Sequence, residues 1–205
     1  MTTVLVTGYE PFSTFDRNPS ALVAQALDGT TIDGATIVGR VMPVDLAAMP
    51  GVLRELLERH APEVVFSLGL AAGITGINVE RVAINLADLS GTPDNVGNAI
   101  ADAPLVLGGP DALFATIPTR RIVERLREEG IQADLSYSAG THLCNAALYH
   151  LLCSAHDHMP AYHAGFLHLP LLPAMAAAQP QPMASMSLET MCRAVEVAIA
   201  VAIGE

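Results

Sequence analysis

The 205-residue chain contains no lysine and no tryptophan, and all ten of its basic residues are arginine. Without lysine there is no Schiff-base nucleophile and no phosphate-loop lysine, so two broad kinds of chemistry are excluded together. Positive charge is scarce: ten basic against 21 acidic residues leave a formal charge of −11, which repels phosphate backbones and anionic lipid. Nucleic acid and membrane surfaces are therefore poor partners. Three cysteines, an odd number without regular spacing, make neither a disulfide framework nor a zinc pattern, and suit a reducing compartment. No apolar run is long enough to span a bilayer, and Met1 to Val6 show no basic region ahead of a long apolar core. The expected location is the cytoplasm.

Hydrophobic residues make up 51% of the chain, enough for one sizeable core, and no repeat or linker divides it. We expect a single domain over residues 1–205. A mean hydropathy of +0.41 is high for such a chain and predicts apolar surface covered by a second subunit, hence a homo-oligomer.

The β-branched run Thr3 to Thr7 ends at Gly8 and predicts a buried central strand. Aromatics are few, yet Tyr9, Phe12 and Phe15 crowd into the loop that follows, where open α/β sheets bind ligands; the same rings could equally seal the sheet end. Asn18-Pro19-Ser20 opens a helix. Gly34 to Val44 predicts a second strand, and Asp45 caps a helix with the stripe Leu46, Met49, Leu53, Leu56 and Leu57. Val64 to Leu68 is a third strand, stopped at Gly69. Helices alternating with strands imply parallel pairing, so the expected fold is a three-layer α/β/α sandwich around a twisted, mostly parallel sheet.

Farther along, the loop Leu70 to Gly76 lacks the ordered glycines of a phosphate loop. Val79 to Leu86 reads as a strand interrupted by Glu80 and Arg81; a carboxylate among apolar neighbours needs a partner, and Arg81 is the simplest. Residues 92–98 form a turn, 118–129 an amphipathic helix, 173–182 a loop, and Ser187 caps a final helix. The cluster His156, Asp157, His158 and His163 has no cysteine or second acidic ligand at a diagnostic spacing, so neither metal nor cofactor is expected.

The most informative stretch runs from Ala133 to Ala155. Ala133, Leu135 and Tyr137 alternate as in a strand, whereas Leu148, Leu151, Leu152 and Ala155 follow a helical period. Between them lies the corner Ser138-Ala139-Gly140-Thr141, which sets Cys144 in the first turn of a helix. Free N–H groups and the positive end of the macrodipole there favour a thiolate and offer donors to an anion. Cys153 and Cys192 lie within helical apolar patterns and read as packing. Ala164 to Leu169 predicts a strand with His168 at its carboxyl end. Glu80, Cys144 and His168 together supply the orienting carboxylate, nucleophile and general base of a thiol hydrolase.

At these positions the chain resembles the type I pyroglutamyl peptidases. The resemblance rests on Leu5-Val6-Thr7-Gly8 with Pro11, Phe12 and Asn18-Pro19-Ser20; on Glu80 to Asn85; on Pro93-Asp94-Asn95 with Gly97; on Ala139-Gly140-Thr141 with Cys144-Asn145; and on Gly165, Phe166, His168 and Pro170. It implies a cytosolic cysteine exopeptidase, often tetrameric, that removes an N-terminal pyroglutamyl residue from peptides. The implied triad is Cys144, His168 and Glu80, and the implied substrate-binding residues are Tyr9, Phe12, Asn18, Leu70 and Leu143. Leu70 and Ile74 stand where the family has a glutamine and an arginine. A further family arginine, which helps to hold the oxyanion, falls at Leu89, Ser90 or Gly91, and no basic residue occurs between Arg81 and Arg120. Two expectations follow: an active peptidase that has retained its triad, or a relative that binds a small ligand or cleaves a different N-acyl amide.

Overall fold

The computed structural model describes residues 2–157 and 162–204, with His156 and Asp157 described by backbone only. Part of the histidine-rich cluster, His158 included, lies outside the described residues. Period-two alternation along the central strands decides the layers. In β1 (Thr3–Tyr9), Val4 and Val6 enter one core and Leu5 the opposite one. In β4 (Val64–Leu70), Val64, Phe66 and Leu68 join the first core and Val65 the second.

The remaining strands of the main sheet are β2 (Thr31–Ile32), β3 (Ala35–Met42), β5 (Ile77–Glu80), β8 (Ala133–Ser136) and β9 (His163–Leu169). Their order is β2-β3-β1-β4-β9-β5-β8. Strands β3, β1, β4 and β9 are mutually parallel; β5 runs antiparallel to β9 and parallel to β8, and β2 is antiparallel to β3. Helices α1 (Pro19–Leu27), α3 (Thr119–Glu128), α5 (Pro173–Ala177) and α6 (Leu188–Ile203) pack into the first core, and α2 (Met49–His60) and α4 (Leu143–Asp157) into the second. The three-layer α/β/α sandwich with a mostly parallel sheet is thus the observed architecture. Among the described residues, no helix is long and apolar enough to cross a membrane.

Three local differences have plain causes. The expected strand over Val79 to Leu86 divides at Arg81, whose N–H donates to Ser136 and whose carbonyl accepts from Ala115. Beyond it, β6 (Val82–Ile84) pairs with β7 (Ala112–Phe114) in a separate two-stranded sheet. Helix α2 starts at Met49 rather than at Asp45, because Asp45 caps only a preliminary turn, accepting from the N–H groups of Ala47 and Ala48. The loop expected over 173–182 contains α5, which Pro173 can open because its fixed φ suits a first helical position.

Candidate active site

Register brings the site together from four elements. In the parallel β4–β9 pair Gly69 lies opposite His168, and in the antiparallel β5–β9 pair Asn78 lies opposite His168 and Glu80 opposite Phe166. Glu80 and His168 are therefore diagonal neighbours on one sheet face, a spacing that long side chains can bridge. Their contact is made: His168 Nδ1 donates to Glu80 Oε1 at 2.7 Å, with the two residues 7% and 1% exposed. An ionised carboxylate only accepts, so the proton belongs on Nδ1, and Nε2 is left for Cys144.

Cys144 occupies the second position of α4, as the change of period predicted. Two features of its surroundings hold it there. Asn145 fastens the first turn of α4, accepting from the Ile84 N–H and donating to the carbonyls of Ile84 and Leu86, each at 2.9 Å. Gly69 leaves room for the sulfur: a Cβ on that residue would lie 2.9 Å from Cys144 Sγ and 2.7 Å from the Phe166 ring. Burial of the His168 ring by itself lowers its pKa, but the Cys144 charge, a hydrogen bond to that sulfur and the bond to Glu80 outweigh it. The ring is held well above the usual histidine range.

A narrow recess adjoins the sulfur, with a cavity volume of about 20 Å³. That is far below the roughly 300–1,000 Å³ of pockets that take drug-sized ligands. Tyr9, Phe12, Asn18, Leu70 and Leu143, the substrate-binding set expected from sequence, all line it with Cys144. Burial pushes the Tyr9 phenol up and the Cys144 charge adds to the shift, which a bond to Ser67 partly opposes. Asn18 uses its amide within the protein: Oδ1 accepts from the Ser20 N–H and Oγ at 3.1 and 2.7 Å, and Nδ2 donates to the Glu10 carbonyl at 3.1 Å. Its part is to set the wall, as the N-cap of α1.

The Pro93-Asp94-Asn95 turn fastens the roof. Glu10 Oε1 accepts from Val44 N–H at 3.0 Å and from Asn95 Nδ2 at 2.9 Å, and Asn95 Nδ2 also donates to the Pro11 carbonyl at 2.9 Å. Burial of Asp94 opposes its charge, yet hydrogen bonds from Leu46, Asn98 and Val96 hold its carboxyl below the usual range. Arg81 is not the partner of Glu80. Its guanidinium donates to Thr119 Oγ1 at 2.8 Å and lies 5.9 Å from the Phe114 ring centre, because successive strand residues face opposite ways.

The profile of the pyroglutamyl peptidase family matches residues 2–205. The chain belongs to that family. The pyrrolidone-carboxylate peptidase of Klebsiella pneumoniae is 44% identical over 204 residues, covering 99% of this chain and 94% of the relative. That of Coprothermobacter proteolyticus is 40% identical over 201 residues, covering 98% and 97%. Among solved structures, the pyrrolidone carboxyl peptidase of Thermococcus litoralis superposes with a TM-score of 0.96 at 37% identity, covering all of this chain and 94% of its own.

Within this pyroglutamyl peptidase fold, sequence reasoning missed Gly69, Val44 and His142, which complete the lining of the recess, and the anchoring role of Asn145. Gly69 was legible only as a strand stop, since its closeness to sulfur depends on the packing of α4 over β4. His142 lies two residues before Cys144, and its position could have marked it. In the segment where the resemblance puts the family's arginine, Leu89 is fully buried and Ser90 Oγ donates to Asp88 Oδ1 at 2.6 Å.

Proposed function

We propose that the chain is a cysteine exopeptidase that releases an N-terminal pyroglutamyl residue, with Cys144 as nucleophile, His168 as acid and base, and Glu80 as the carboxylate that orients it. The observation that carries this reading is the hydrogen-bonded line from buried Glu80 and His168 to half-buried Cys144, ending beside a narrow recess lined by Tyr9 and Phe12. In the first step the Cys144 thiol gives its proton to His168 Nε2 and Sγ attacks the pyroglutamyl carbonyl carbon; a C–S bond forms, and an electron pair moves to the oxygen. That oxyanion faces the unpaired N–H groups of the first turn of α4. Its collapse breaks the C–N bond while His168 Nε2 gives its proton to the leaving amine. The neutral imidazole then takes a proton from water, whose oxygen attacks the thioester; the C–S bond breaks and pyroglutamate leaves.

Hydrolysis of a fluorogenic pyroglutamyl amide tests the proposal. The parent should turn it over, and Cys144→Ala should lower the rate by a thousandfold or more. A parent without turnover, or a Cys144→Ala variant that keeps it, overturns the reading. The apolar exposure of Leu107 and Phe114, 89% and 68%, further supports association of subunits into a homo-oligomer.

A further inference from the structure

We propose that Asn78 is a positioning residue for the orienting carboxylate, its amide Nδ2 donating to Glu80 Oε2, an assignment that rests on the cysteine peptidase reading above. His168 takes only one oxygen of Glu80. The other, Oε2, belongs to a residue 1% exposed and has no hydrogen-bond partner among the described residues. A buried charged oxygen without a donor is costly, and native sites rarely leave one so. Strand register names the group within reach. Ile77 and Val79 enter the first core, so Asn78 and Glu80 face the other side, as do His168 and Phe166, their opposite numbers on β9. Glu80 is paired with Phe166, yet its carboxylate reaches the ring of His168, which is paired with Asn78. The carboxylate therefore leans along β5 towards Asn78. That residue is half-buried and its side chain makes no hydrogen bond among the described residues. It borders an open groove with Thr75, Arg127 and Asp134, which gives its amide room to turn onto Oε2. The other polar neighbours on this face are already engaged. Ser136, opposite Glu80 on β8, bonds through Oγ to the Ser138 carbonyl and N–H at 3.3 and 3.4 Å, and Asp134, opposite Asn78, pairs with Arg127 at 3.0 Å. The titratable groups on this side are thus His168 of β9, Cys144 of α4 and Asp134 of β8, whereas Arg81 points the other way.

Two readouts test it, one with substrate and one without. A donor on Oε2 favours the ionised carboxylate, which His168 Nδ1 needs as its acceptor. Asn78→Leu, close in shape but without a donor, should therefore move the acid limb of kcat/KM for a pyroglutamyl amide upward by about one pH unit, the effect of one hydrogen bond to a charged group. Asn78→Gln, which keeps the amide, should bring the limb back towards the parent. In the NMR spectrum of the free protein, the His168 Nδ1–H resonance should move downfield in Asn78→Leu, because charge no longer shared with Nδ2 falls on Oε1. A resonance unchanged in Asn78→Leu overturns the assignment. So does an Asn78→Gln protein indistinguishable from Asn78→Leu, or a shift that Ser136→Ala produces and Asn78→Leu does not. A parent that fails to turn over the amide overturns the peptidase reading, and the resonance alone then decides whether Asn78 holds Glu80.

Discussion

The charge on the His168 ring depends on its neighbours, because burial alone favours the neutral form. Replacing Cys144 by alanine removes the sulfur's charge and hydrogen bond, so the His168 pKa should fall, as an NMR titration of the ring would show. An unchanged pKa would mean that Glu80 alone sets it. The linkage has a definite sign. A histidine raised on folding adds stability that is fully present below its unfolded pKa of about 6.5 and disappears as the pH rises through the folded value. The parent's margin over Cys144→Ala should therefore shrink towards alkaline pH. At Gly69, an added methyl group meets the sulfur at 2.9 Å and the Phe166 ring at 2.7 Å. Gly69→Ala should cost about 1–3 kcal/mol of stability and displace Sγ. Brief iodoacetamide labelling, mapped by mass, should find Cys144 the fastest-reacting thiol in the parent and markedly slower in this variant. Cys192, whose thiol is pushed up by burial and by Glu196, should lag behind it in the parent.

Among the elements, the segment from Ala87 to Thr92 is tied to the start of α4 by Asp88 N–H to the Thr141 carbonyl and by Thr141 Oγ1 to the Asp88 carbonyl, at 3.0 and 3.1 Å. In the proposed mechanism it lies beside the oxyanion, and it has no cation of its own. A cation introduced by Ser90→Arg should raise kcat more than it changes KM, since the charge it meets develops only in the transition state. Leu89→Arg should behave in the opposite way, costing about 3 kcal/mol or more in a denaturant titration, because Leu89 is fully buried in the core shared with α4. A Leu89→Arg protein as stable as the parent would show that the segment can turn its side chains outward. The same packing explains why sequence spacing alone could not choose among positions 89, 90 and 91.

For the whole molecule, exposed Val96, Leu107, Phe114 and Tyr137 accompany the high mean hydropathy of +0.41. Sedimentation at micromolar concentration should show a multimer, and a monomer would count against reading that surface as an interface. The layers were legible in the sequence because strand and helix periods are local: Val4, Leu5 and Val6 alternate between two cores, and α4 begins where the period changes. Cys144 at a helix start was legible for the same reason, and the motifs around Glu80 and His168 pointed to both residues. The reversal of β5 was not, since neither charge nor period along Ile77 to Glu80 records which way a neighbouring strand runs. That reversal makes Glu80 a diagonal neighbour of His168 rather than a partner of Arg81. Sequence by itself thus determined which residues could react and which faces they occupy. The tertiary structure alone decided their meeting, because strand register, the missing Cβ of Gly69 and the Thr92 carbonyl beside His142 are contacts between segments far apart along the chain.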